Sequence, residues 1–335
     1  MGKIELPVEM PLFCTYHWLA GAGIVLKQNP TSDNWYFNNM IQWACSDKFL
    51  EDLTTPDITL TNGTIWDIPF LETSPINNRF ITKYLLELIR SMLDQGFYVM
   101  FFEVDDFYIK GKSLYNRRHF LHDGIITGYD DSNETLTLAA YDERWVFSVF
   151  QTPQQGFLKA VEEANRLSIT GSIVGVKVTS QEQKLDIEMI HKGIEDYLNS
   201  KVALMYIPKG TESIYGVMVY DYLYIYLNKL QDGTIQHKQM DRRIFRLVWE
   251  HKNCMYLRIV AIEKKLNWDN RLSQEYAPLV KKAEKLRFLY SKFNLKFSAY
   301  LLETMKTILM EMRGEEIRLL QILAKQLEVV LNAGK

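Results

Sequence analysis

The hydrophobic rhythm of the chain changes near residue 180. Before that point, short apolar runs alternate with turn-rich polar stretches such as TTPDITLTNGT. The run GFYVMFFEV, from Gly96, is continuous in aromatic and β-branched residues after a glycine and predicts a buried strand. HDGIITGY, TLTLAAYD and RWVFSVF predict three successive strands, the first two joined through DDSNE, and so a β-meander. PQQGFLKAVEEANRL then follows helical spacing and GSIVGVKVTS returns to strand.

Beyond residue 180, apolar positions recur every three or four residues from QEQKLDIEMIHKGIEDYLN to the C-terminus, with Pro208 and Pro278 as punctuation. SIYGVMVYDYLYIYLNKL is apolar nearly all round and predicts a central helix covered by others. FSAYLLETMKTILMEMRGEEIRLLQILAKQLEVVL predicts a long amphipathic helix, suited to a bundle or a homodimer. The fold class is therefore α+β, with a mixed domain over 1–180 and a helical domain over 181–335.

Composition narrows the functional classes. The chain has 335 residues, 47% of them hydrophobic and 24% charged, and a formal net charge of −2, which supplies no global field for nucleic acid. Its apolar runs fall short of the roughly 20 residues of a membrane span. Cys14, Cys45 and Cys254 lie without metal-ligand spacing and no leader-like segment precedes them, so a reducing, cytoplasmic setting is expected. HFLH sets His119 and His122 three apart, which in an extended strand sends them to opposite faces and argues against a metal site.

FCTYHWLAGAGIVLKQ, Phe13 to Gln28, carries the first candidate for chemistry. Cys14 precedes a run of helical character and is placed in a first helical turn, where unsatisfied N–H groups favour a thiolate. Alone it reads more readily as a buried, inert thiol. Gly21 to Gly23 offer close packing against a sheet.

Six histidines are available as a base: His17, His119, His122, His191, His237 and His251. His17 shares the helix of Cys14, which leaves it little freedom to be oriented by a third group. For His122 the hairpin gives a geometric argument. A turn centred on Ser132 opposes residues whose numbers sum to 264, twice 132, and so faces His122 with Asp142. Directly opposed residues of antiparallel strands have Cβ atoms about 4.5–5.5 Å apart on one face. A one-residue slip would offer Glu143 instead and reverse the face, and an ordinary salt bridge at a sheet edge is the alternative reading.

These residues carry a family resemblance. A cysteine at a helix start, a histidine six residues before Gly128–Tyr129, and an aspartate closing the next strand resemble the papain-like superfamily. GFYVMFFEVDDFYIKGKSLYNRRHFLHDGIITGYDDSNETLTLAAYD is similar to the N-terminal domain of the butirosin biosynthesis protein H family, over roughly residues 10 to 180. The related amide-forming enzymes of closthioamide assembly belong to the same neighbourhood. The resemblance implies a papain-like domain with an antiparallel sheet, followed here by a mainly α-helical domain. It implies Cys14 as nucleophile, His122 as general base and acid, and Asp142 as orienter. It also implies an acyl or peptidyl carrier protein bearing phosphopantetheine as donor partner and an amine as acceptor, with no cofactor bound by the chain itself. One departure stands out: papain-like enzymes place an oxyanion-hole glutamine about six residues before the cysteine, where this chain has Val8. The backbone N–H of Cys14 remains as one donor.

The expected chemistry is acyl transfer from a carrier thioester, through a Cys14 thioester, to an amine. No P-loop or dinucleotide fingerprint is present to supply a nucleotide. The acidic, aromatic stretch VDDFYIKGKSLYNRR is read as a solvated loop or as a lid whose Asp105 and Asp106 attract the amine. The rival readings are a papain-like amide hydrolase or peptidase using the same residues, and a non-catalytic scaffold that keeps the fold.

Overall fold

The computed structural model describes residues 2–60, 68–201 and 213–334; Pro208 and the end of the turn-rich stretch at 61–64 lie outside them. The chain begins with β1 (Lys3–Glu5) and α1 (His17–Leu26), followed by α2 (Asp33–Asn39), β2 (Trp43–Ser46), α3 (Phe49–Asp52) and β3 (Ile58–Leu60). Next come β4 (Leu71–Asn77), α4 (Leu85–Asp94), β5 (Tyr98–Asp105), β6 (Leu121–Asp130), β7 (Thr135–Tyr141), β8 (Phe147–Pro153), α5 (Gln154–Leu167) and β9 (Ser172–Val178). The remainder is α6 (Ile187–Leu198), β10 (Ser213–Tyr215), α7 (Val219–Gln231), α8 (Arg243–Leu266), α9 (Arg271–Leu295) and α10 (Ala299–Ala333). The chain is α+β, with antiparallel sheets and a helical C-terminal region.

Two compact units result: Met1–Pro30 with Thr64–Glu182, and Thr31–Gly63 with Gln183–Lys335. The expected domain over 1–180 thus gives residues 31–63 to the helical unit.

In the first unit a seven-stranded antiparallel sheet runs β4-β9-β5-β6-β7-β8, with β1 paired to β6. The continuous apolar run of β5 is explained by its central place, with helices on both faces. Met100 lies against Gly21 of α1, whereas Phe101, one residue on and so on the opposite face, meets Phe157 of α5 at 5.3 Å between ring centroids. Leu85, Ile89 and Leu93 of α4 close that second core with Val161 of α5.

In the helical unit, β10-β2-β3 form a small sheet. The stretch expected to be one apolar helix divides: Ser213–Tyr215 is strand, and helix α7 starts only at Val219. Pro278, expected as punctuation, sits inside α9. The 35 residues of α10 bury Leu302, Met305, Leu309, Met312, Leu320, Leu323 and Leu327 at helical spacing. The same face buries Glu316, whose Oε2 accepts from Lys252 Nζ at 2.8 Å, Tyr197 at 2.8 Å and Tyr220 at 2.7 Å. A buried ion pair is tolerated when its remaining lone pairs are satisfied in this way.

Residues 31–63 belong to this unit because the buried guanidinium of Arg258 ties the end of α2 to α8. It donates to the carbonyls of Phe37 at 2.6 Å, Tyr36 at 3.2 Å and Met40 at 2.8 Å; the helix end leaves those of Phe37 and Met40 without an intrahelical donor, while that of Tyr36 also accepts from the Met40 N–H at 2.8 Å. Arg258→Met should strand the Phe37 and Met40 carbonyls in an apolar interior. We expect a loss of about 3 kcal/mol or more in the unfolding of this unit, measured by urea titration of the far-UV circular dichroism; a change under about 0.5 kcal/mol would contradict that role.

Candidate active site

The site is set by an irregularity in β5. Phe101 pairs with Gly124, but Val104 pairs with His122, so Phe102 and Glu103 together oppose Asp123. Such a bulge puts the following residues one step out of phase with the strand before it. Glu103 takes a left-handed φ of 57°, its N–H donates to Asp123 Oδ1 at 3.1 Å, and its carboxylate accepts from the hydroxyls of Ser168 and Thr170. Burial raises Asp123 above the usual carboxylate range, opposed by the Glu103 N–H and by His122 and Lys112.

The bulge delivers two successive aspartates to two histidines. Asp105 Oδ2 lies 2.7 Å from His119 Nδ1, and its Oδ1 accepts from the N–H groups of Phe107 and Phe120. Asp106 Oδ2 lies 2.8 Å from His122 Nδ1. A carboxylate only accepts, so the network assigns the proton to Nδ1 of His122 and leaves Nε2 as the nitrogen able to take a proton. Both aspartates are buried, and neither is part of a solvated acidic loop.

The second oxygen of Asp106 faces Lys112 Nζ at 3.2 Å, with both side chains almost wholly buried. Neither atom makes a well-directed hydrogen bond, so the contact acts as a pairing of charges. Burial pulls Lys112 below the ordinary lysine range, against the attraction of Asp106 and Asp123. The loop that carries it turns at Gly111, whose φ is +100° and whose α-carbon is covered by the Phe150 ring. A side chain there would meet both the strained backbone and the ring.

On the neighbouring strand, the hydroxyl of Tyr141 donates to the carbonyl of Cys14, and the N–H of Tyr141 donates to His17 Nε2 at 3.5 Å. The His17 ring lies 4.8 Å from that of Tyr141 and 4.1 Å from that of His122, edge-on to both. The segment bearing Cys14 and the His122–Asp106 pair are therefore joined through His17. Cys14 is buried, 8% exposed, and its thiol donates to the carbonyl of Pro11 at 3.6 Å. Helix α1 starts at His17 rather than at Cys14, so the cysteine lies in the turn leading to the helix N-terminus rather than in its first turn.

The expected orienter is corrected. Asp142 is not bound to His122: its carboxylate accepts from the N–H groups of Arg144 at 2.8 Å and Val146 at 3.0 Å, from the Arg144 guanidinium, and from Ser148 Oγ at 3.1 Å. Burial would raise Asp142, but these bonds outweigh it and hold the group below the usual carboxylate range. It ties the turn between β7 and β8. Ile125 pairs with Ala139 and Ile126 with Leu138, as a hairpin centred on Ser132 requires, but pairing stops before His122. Asp106 lies outside the Ser132 hairpin, because it follows β5, which pairs with the other edge of β6. The signal was present in Asp105–Asp106 ending one strand and His119/His122 opening the next.

The other candidates lie elsewhere. Burial pushes the Cys45 thiol up to about 12, with Asp57 and Asp47 adding to it, and the Cys254 thiol up to about 11, so neither supplies a thiolate at neutral pH. His251 is buried and stacked on Trp43, and burial holds it well below its ordinary range. His191 lies 3.8 Å from Glu195, and His237 packs on Phe293 and Phe297. Among the described residues, no group of three His, Cys, Asp or Glu side chains is placed to hold a metal ion. No described helix is long and apolar enough to cross a membrane. Compared with known proteins, the chain matches no family model and no curated protein.

Lys112→Met should leave the buried Asp106 carboxylate facing an apolar side chain, at a cost of about 3–5 kcal/mol in unfolding free energy. Adding Asp106→Asn should recover part of that loss. A double-mutant cycle by urea denaturation with no coupling between the two positions would show that the charges do not compensate one another.

Proposed function

We propose that Cys14 and His122, with Asp106 as the orienter, form the centre of a cysteine-dependent acyltransferase. The observation that carries the reading is the 2.8 Å bond from His122 Nδ1 to Asp106, backed by the buried Lys112. It fixes the imidazole tautomer as a general base requires. Supporting it, the Cys14 backbone is tied to Tyr141, whose ring packs on His17 and so reaches the His122 ring. The thiol lies just before the N-terminus of α1, where backbone N–H groups favour negative charge.

In the first step the Cys14 proton passes to His122 Nε2 and Sγ attacks the carbonyl of a thioester donor. The donor's C–S bond breaks, and its thiol leaves with the proton from His122. An amine then attacks the Cys14 thioester and gives its proton to His122. The C–S bond to Cys14 breaks, and the sulfur recovers the proton as the amide departs. One thioester replaces another in the first step and an amide replaces a thioester in the second, so no nucleotide is consumed. The resemblance of residues 10–180 supplies the donor class, an acyl or peptidyl chain on the phosphopantetheine of a carrier protein, within natural-product biosynthesis.

A non-catalytic papain-like scaffold is the second reading, favoured by the burial of Cys14 and its thiol bond to Pro11. Intact-protein mass spectrometry after mixing with an acylated carrier protein separates the two. Acyl transfer predicts an adduct of the acyl mass that is absent in Cys14→Ala, slower to form in Asp106→Asn and cleared by added amine as amide. Clearance by water at the same rate without amine would make the chain a hydrolase. No adduct, or an adduct retained in Cys14→Ala, would contradict catalysis by this cysteine.

A further inference from the structure

In the helical unit, the end of α8, the start of α9 and the last third of α10 enclose an open cleft of about 660 Å3, a volume within the range of small-molecule sites. Its walls include the apolar side chains of Trp268, Leu272, Ile322 and Val329, of which Ile322 and Val329 are exposed by 38% and 64%. Three carboxylates and two guanidiniums also line it. Glu275 lies 3.2 Å from both Arg271 and Arg318; with Glu263 and Asp269 the lining carries one negative charge in excess, and those two carboxylates are the ones the arginines do not hold.

Glu263 is the decisive group. It is 1% exposed, and its Oε1 accepts from the N–H of Ser273 at 3.0 Å, in the first turn of α9. Its Oε2 has no hydrogen-bond partner. A buried carboxylate oxygen without a donor is costly to keep, and Glu263 is among the residues that line the cleft.

We infer that this cleft binds an organic cation, a primary ammonium or guanidinium on an apolar chain of up to drug-like size. The cation sits on Glu263 Oε2, with Asp269 adding to the attraction, and the chain lies along Ile322, Val329 and the Trp268 ring. Anions are disfavoured beside Glu263 and Asp269, the two carboxylates that the arginines do not hold. The site is independent of Cys14 and His122.

Isothermal titration of the full-length protein with 4-phenylbutylamine, 4-phenylbutanol and 4-phenylbutanoate tests this. The amine should bind saturably, one to one, and at least about tenfold more tightly than the alcohol or the carboxylate. Glu263→Gln keeps an acceptor for the Ser273 N–H and should weaken the amine by about tenfold or more with an unchanged thermal melt. Val329→Arg, on the exposed wall, should abolish binding without touching the α9 start. Equal affinity for amine and alcohol, indifference to both variants, or no saturable binding would overturn the assignment.

Discussion

A carboxylate removed from water needs charge compensation, and Asp106 obtains it from opposite sides. Lys112 neutralises one oxygen and His122 Nδ1 donates to the other. Burial alone would penalise both the aspartate and the lysine; together they make a nearly neutral buried group that holds the imidazole in one tautomer. The arrangement depends on the β5 bulge, without which Glu103 would stand opposite His122 and the two aspartates would fall one step out of place. Glu103 in turn depends on Asp123, Ser168 and Thr170. Local backbone strain, a buried ion pair and the histidine are thus one mechanical unit.

Strands β5 to β9 were legible because they are rich in apolar, β-branched and aromatic residues and bounded by turn chemistry, whereas β1 and β4, short or largely exposed, carry no such run. Register was legible only in part. The turn after β6 joins Asp130 to Thr135, half a residue beyond the centre expected at Ser132, and an unpaired Thr127 restores the expected sum at Ile126 and Ile125. Two irregularities cancel, and the inference from Ser132 to Ile125 succeeds for a reason the residue pattern did not display. At Asp142 it fails, because an aspartate followed by Arg144, Val146 and Ser148 satisfies its carboxylate within its own turn. Short-range hydrogen bonds of that kind compete with any longer-range partner.

The helical half was legible as helices and opaque as a unit. Periodicity identifies the buried face of α10, yet nothing in a 3.6-residue repeat foretells that Glu316 sits in that face under Lys252 and the hydroxyls of Tyr197 and Tyr220. Nor does it foretell that Arg258 reaches the carbonyls ending α2. Buried polar residues on an apolar stripe read as interruptions until their partners, far away in the chain, are placed beside them. The same holds for Glu263, whose position in the last turn of α8 gains meaning only beside α9 and α10.

Which aspartate orients His122 decides the chemistry of the site, and nitrogen-15 chemical shifts of the histidine rings report this directly. In the native protein at neutral pH, His122 should carry its proton on Nδ1. Asp106→Asn should remove that preference, and Asp142→Asn should leave it intact. A His122 tautomer that follows Asp142 and ignores Asp106 would contradict the account.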